Sequence, residues 1–271
     1  MAPPTKRPSK WSVKDLRFFR IRFDEQSRQK FFQAGQQFHT PDRPSIAGFL
    51  IHDSFETAVQ VGADDDTRRL LRIMSNAVDP GALAPDVIVF TQYILRSLGY
   101  ELGPSYLQSY YVLGDFPTSC MTAKVVSTNL SLLGFHPSRA ASFVAEIKQG
   151  SSTIDSEPQM VAKAIVVFHI LQKSNNSLQE IVLPCISMRG TFPTFYKIRV
   201  TRTLVDAVRA GRKPREDTEC IRYVPELPGP RDQGMIPLPN RLHLLKDLLA
   251  FWAIIRDFEA QVEEGERVQG E

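Results

Sequence analysis

Cysteine is scarce in this chain: Cys120, Cys185 and Cys220 are odd in number, widely spaced, and form no Cys-x-x-Cys pair. That pattern speaks against a disulfide scaffold and a thiolate zinc site, and leaves reduced, intracellular thiols as the simpler expectation. Long apolar runs are also missing, because the most hydrophobic stretch, 242–258, is interrupted by Lys246, Asp247 and Arg256, so no membrane span is expected. The first ten residues have prolines and basic side chains but no apolar core of the kind a secretory signal needs, so a disordered basic leader is expected. Within it Lys6-Arg7 and Lys10 form a short basic cluster that reads first as a solvated tail, with a weak nuclear-import signal as the alternative. The expected location is therefore intracellular, cytoplasmic or nuclear. No Gly-x-Ser-x-Gly elbow and no P-loop occurs, and His39, His52, His136, His169 and His243 have no metal-ligand spacing. These absences remove the usual serine hydrolase, nucleotide triphosphatase and histidine-metal chemistries.

What remains is an ordinary globular composition, 42% hydrophobic and 23% charged over 271 residues, with a formal charge of +3. The mild basicity suits a nucleic-acid partner without requiring one. One domain over 11–262 is expected, with its core at about 85–210 and a frayed acidic tail at 263–271. Alternating aromatics and arginines from Leu16 to Phe23 read as a strand turning helical from Gln26, with the rings facing a core and the arginines in solvent. Residues 35–62 read as irregular connection with a short element near 49–52. Asp64-Asp65-Asp66 precedes a helical apolar pattern through Val78, which makes the triplet a cap rather than a metal site. A second helix follows from Pro85 to its cap at Gly99.

After Gly99 the texture changes. Strand patterns at 106–113, 122–133 and 141–148 are punctuated by Gly114-Asp115-Phe116-Pro117 and Gly134-Phe135-His136-Pro137, as in a meander. A helix at 158–173 is announced by Ser156 and Gln159, which together read as a capping box. Strands near 180–186 and 195–200, a helix capped by Thr201 and stopped by Gly211, an edge strand at 219–224, a proline-rich loop at 225–239 and a terminal amphipathic helix at 241–261 complete the chain. The predicted class is α/β or α+β: a central mixed sheet flanked by helices, with helical additions at both ends.

The chemistry centres on Glu146-Ile147-Lys148. Side chains at i and i+2 of a strand leave the same face, so a carboxylate and an ammonium point the same way, just ahead of a turn and a helix. Acid-x-Lys also arises by chance in chains of this length, and a solvated strand face accounts for it equally. Other features take bland roles: Asp86 and Asp115 as cap or loop acids, His169 on an apolar helix face, and Cys185 as a small buried residue. The basic spur Arg209, Arg212, Lys213 and Arg215 is the most concentrated candidate for contact with nucleic acid.

In its setting of strand, acid-x-lysine strand, helix, this stretch resembles the active-site signature of the PD-(D/E)XK nuclease superfamily. That resemblance implies a restriction-endonuclease-like core and a Mg²⁺ site, with Glu146 and the Ile147 carbonyl as ligands, Lys148 as the catalytic cation and Gln159 as the helix glutamine. It also implies an aspartate on the preceding strand, where this chain carries Asn129, a neutral ligand that weakens metal binding. The wider sequence resembles a group of uncharacterised proteins abundant in basidiomycete fungi. The shared features are Gln26-Ser27 before Phe31-Phe32, Leu98-Gly99-Tyr100, 157–165, 186–193 with Phe195-Tyr196, and Gly234-Met235. Members of that group usually have aspartate in place of Asn129. The expectation is therefore a nuclease-like protein with a degenerate metal site, non-catalytic or weakly active, which holds nucleic acid. An active Mg²⁺-dependent DNA phosphodiesterase and a structural module for a protein partner stand as the alternatives.

Overall fold

Strand β6 (Ala141–Lys148) shows how the sequence builds the molecule, because it is buried along nearly its whole length. In the computed structural model, which describes residues 8–33, 44–101, 105–117, 122–133, 141–150, 152 and 155–267, its odd-numbered and even-numbered side chains from Phe143 onward leave for opposite faces of the sheet. Phe143, Ala145 and Ile147 join one cluster, while Val144 joins the other. A strand covered on both faces needs apolar residues at successive positions, and Phe143-Val144-Ala145 supplies them.

The sheet runs β1 (Ile21–Glu25), β9 (Thr218–Tyr223), β8 (Phe192–Thr201), β7 (Glu180–Arg189), β6, β5 (Leu130–Leu133) and β2 (Tyr106–Ser109). It is mixed: β6 and β7 are parallel, as are β1 and β9, and the other neighbours are antiparallel. Parallel neighbours need a crossover, and helix α7 (Glu157–Ser174) provides it between β6 and β7. A separate hairpin pairs β3 (Val112–Pro117) with β4 (Thr122–Ser127).

Helix α7 lies on one face with α1 (Val13–Phe18) and α8 (Arg202–Arg209), sharing a core with the even-numbered side of β6. The other face is covered by α2 (Arg28–Phe32), α3 (Pro44–Phe49), α4 (Phe55–Gln60), α5 (Asp65–Val78), α6 (Ala84–Ser97) and most of α9 (Leu238–Arg267). Asp64 caps α5 by accepting from the Thr67 amide at 2.9 Å. Thr201 does the same for α8 through the Leu204 amide at 3.2 Å. Asp86 accepts from the Leu83 amide at 2.7 Å, the cap role expected of it, and Cys185 is fully buried.

Several expectations change. The segment through Phe23 is not one strand: α1 forms first, Trp11 stacks on Phe19, and only Ile21–Glu25 is extended, because the apolar positions Leu16 and Phe19 fit a helical face as well as an alternating one. The connection at 35–62 contains α3 and α4, and its residues 34–43 lie outside the described ones. Gly114-Asp115-Phe116-Pro117 belongs to β3 rather than to a turn, and the two long strand patterns at 106–113 and 122–133 each divide into two strands. β9 is interior, since β1 pairs along it and takes the edge. The described end of the leader, Pro8–Lys10, forms a 3-10 turn, and α9 continues to Arg267. Residues 134–140, Cys120, His39, the side chain of Asp115, Lys6, Arg7 and the last residues of the tail lie outside the described residues.

Candidate functional site

β6 carries Glu146 and Lys148 onto the face covered by α7, and α7 sends Gln159 and Lys163 down to meet them. The Lys148 ammonium donates to Glu146 Oε1 and to Gln159 Oε1, both at 2.8 Å. Lys163, four residues after Gln159 and so on the same helix face, donates to the other carboxylate oxygen, Glu146 Oε2. Each oxygen of Glu146 thus holds one ammonium. Gln159 completes the cluster by donating from Nε2 to the Ser9 carbonyl at 3.1 Å, which ties the N-terminal 3-10 turn over α7.

The cluster is an interior feature rather than a solvated strand face. Side-chain exposure is 5% for Glu146, 7% for Lys163 and 16% for Lys148, so the ion pairs are shielded from bulk water. Burial pushes the Glu146 carboxyl up, but Lys163 and Lys148 outweigh it and hold the group below its ordinary value. Ile147 turns its side chain into the opposite core, so only its backbone is near the cluster.

Asn129 stands just ahead of β5, and its Oδ1 accepts from the Ile147 amide at 3.1 Å. The amide position expected to replace an aspartate therefore does lie against the Glu-x-Lys strand, with its oxygen occupied by a backbone donor. The side chains of Glu146, Lys148 and Gln159 converge, and Asn129 reaches the backbone between the first two, at the Ile147 amide. Gln159 departs from the capping box, because its side chain is engaged by Lys148 and Ser9 and the Ser156 hydroxyl accepts from Ser187 at 2.9 Å.

Beside the cluster opens a cleft of about 880 Å³ at the carboxyl ends of β6 and β7, the end of a strand–helix–strand unit where ligands commonly sit. Strand register explains its polar floor. Glu146 pairs with Ser187 and Ser187 with Thr194, so one row of polar side chains runs from the cluster into the cleft. Tyr196 and Arg222 form the neighbouring pair. Arg222 bridges Glu157 and Glu25, each at 2.8 Å, while its Nε is buried without a hydrogen-bond partner among the described residues. The Glu157 carboxyl is raised, chiefly by burial and further by Asp155, against the opposing pull of Arg222.

The basic spur does not converge with these groups. Arg209 ends α8, and Arg212, Lys213 and Arg215 follow it before β9, at the end of the sheet where β7 begins; none of the four lines the cleft. Arg209 is engaged by His169 Nδ1 and lies 3.5 Å from Asp206. Arg212, Lys213 and Arg215 are exposed.

Two features escaped the sequence reading. Lys163 was hidden in an apolar helix pattern, although its spacing of four from Gln159 was the available signal. The Arg222 bridge depends on β1 pairing with β9, which no local pattern reveals. Among the described residues no group of three or more His, Cys, Asp or Glu is placed to hold a metal ion, and no helix is long and apolar enough to cross a membrane. No protein-family model matches the chain, and comparison with curated proteins gives no match.

Proposed function

We propose that this chain is a PD-(D/E)XK-like protein whose metal centre is degenerate, so that it holds nucleic acid without hydrolysing it, or hydrolyses it only weakly. Support for the lineage comes from order and contact. Strand β5, strand β6, helix α7 and strand β7 follow one another, the acid-x-lysine ends the strand before the helix, and a glutamine of the helix's first turn touches that lysine. Support for nucleic acid is the exposed trio Arg212, Lys213 and Arg215 and the net positive charge.

The observation that carries the loss of catalysis is the donor set around Glu146. A hard dication such as Mg²⁺ takes about six oxygen ligands and favours more than one charged group among them. Here a lone carboxylate, already neutralised by ammonium groups, stands beside an amide that accepts from the backbone. These residues do not fit a resident Mg²⁺.

The test is incubation of wild-type protein with plasmid and with oligonucleotides in Mg²⁺ or Mn²⁺, alongside Lys148→Ala. The expected result is retention of nucleic acid in a mobility-shift gel with no cleavage above background. Cleavage by the wild type that disappears in Lys148→Ala would establish an active phosphodiesterase instead.

A further inference from the structure

The geometry points to Lys163 as an internal cation that occupies the coordination position a metal ion would take on Glu146, so that the site is closed by two residues, Asn129 and Lys163, rather than by Asn129 alone. The inference rests on the degenerate-site reading and deepens it by assigning the blocked second oxygen of Glu146 to one residue, Lys163.

Glu146 offers two oxygens, and the Glu-x-Lys motif itself accounts for one partner, Lys148 on Oε1 at 2.8 Å. The second oxygen is the one left over for a metal. It is held by Lys163, whose side chain is 7% exposed and is locked into α7 among Val161, Ala162, Ala164 and Ile165, all fully buried. An ammonium so enclosed has no solvent-facing alternative, and withdrawing it from its counter-ion would leave a buried charge unpaired. A dication approaching Oε2 therefore meets both an occupied lone pair and a fixed positive charge at contact distance.

The charge count agrees. The cluster has one carboxylate against two ammonium groups, a balance that repels cations. Asn129→Asp adds one negative charge and brings it only to neutrality. Replacing Lys163 by methionine as well leaves two carboxylates against Lys148, the balance a divalent site requires. Aspartate at 129 retains an oxygen for the Ile147 amide, and methionine keeps the unbranched apolar stem of lysine, so neither change calls for a new backbone course.

The test is Mn²⁺ titration by isothermal calorimetry on four full-length proteins: wild type, Asn129→Asp, Lys163→Met and the double variant. Thermal melting first establishes that each is folded. The double variant is expected to bind Mn²⁺ at least about tenfold more tightly than Asn129→Asp, because the like charge at contact is gone, and adding Glu146→Gln to it should abolish that binding. Equal affinity in Asn129→Asp and the double variant overturns the role of Lys163 while leaving the degenerate-site reading intact. A folded double variant that binds no Mn²⁺ overturns it too. If the double variant does not fold, Lys163→Met takes its place: it is expected to gain weak binding over wild type, and no gain counts against the inference. Mn²⁺-dependent cleavage by the wild type, by contrast, defeats the degenerate-site reading itself.

Discussion

At the scale of single residues, the interior charges are the parts of this protein with the most to lose. Glu146→Ala would leave Lys163 and Lys148 confined without a counter-ion, and breaking a buried pair in this way costs about 3–5 kcal/mol. Urea denaturation at neutral pH should register that loss, and adding Lys163→Met should recover a sizeable part of it. The pH dependence follows from the sign of the shift. The folded carboxyl titrates below its ordinary value of 4.5, so its contribution is complete above that value and disappears as pH falls through the lower folded value. The stability gap between wild type and Glu146→Gln should therefore persist at neutral pH and close in acid. His169 has the same sign in a higher pH window: burial first, then Arg209 and Lys173, hold its ring down to about 4 from 6.5. The unfolded chain takes up that proton first, so wild type should lose stability as pH falls from about 6.5 toward about 4. His169→Gln should lose less over the same range, which denaturation midpoints at several pH values would reveal.

At the scale of elements, the sequence was legible where one local rule decided the outcome. Asp64 before an apolar helical pattern, Thr201 ahead of α8, and Gly99 and Gly211 at positive φ all act as their chemistry indicates. It was less legible where tertiary partners chose between two periodicities, as in the segment divided between α1 and β1. The start of α9 is a second case. Arg241 looks like a surface arginine in an amphipathic helix, yet it is wholly buried and donates to the carbonyls of Met235, Ile236, Phe49, His52 and Asp53. These acceptors come from α3, the turn after it and the approach to α9, so their convergence is invisible before the chain folds. Arg241→Ala would strand several buried acceptors at roughly 1–3 kcal/mol apiece, and a loss of at least about 4 kcal/mol in equilibrium denaturation is expected. Lysine should not rescue it, because three donors at one point cannot serve carbonyls spread around a planar fork.

At the scale of the whole molecule, the sheet separates two surfaces with different chemistry. The Glu146 cluster and its cleft lie where β6 and β7 end, while Arg212, Lys213 and Arg215 lie where β7 begins. The convergence of Glu146, Lys148 and Gln159 was readable because strand, turn and helix are consecutive in sequence. The remoteness of the spur was not, because it depends on β9 entering the sheet beside β8 and on β1 closing the edge. If the spur is what holds nucleic acid, replacing Arg212, Lys213 and Arg215 together by alanine should weaken binding to any sequence and flatten the plot of log affinity against log salt by about 2 to 3, near 0.9 for each phosphate contact removed. Fluorescence anisotropy over a salt series measures both. The variant should leave the Glu146 ion pairs and the thermal midpoint unchanged. The central claim is that a lysine, and not a metal, faces the second oxygen of Glu146. It is tested most directly by a crystal structure of the wild-type protein grown with manganese and measured for anomalous scattering. The account predicts the Lys163 ammonium on Glu146 Oε2 and no anomalous peak there; a peak about 2.2 Å from that oxygen, a metal–carboxylate distance, with Lys163 turned aside, would contradict it.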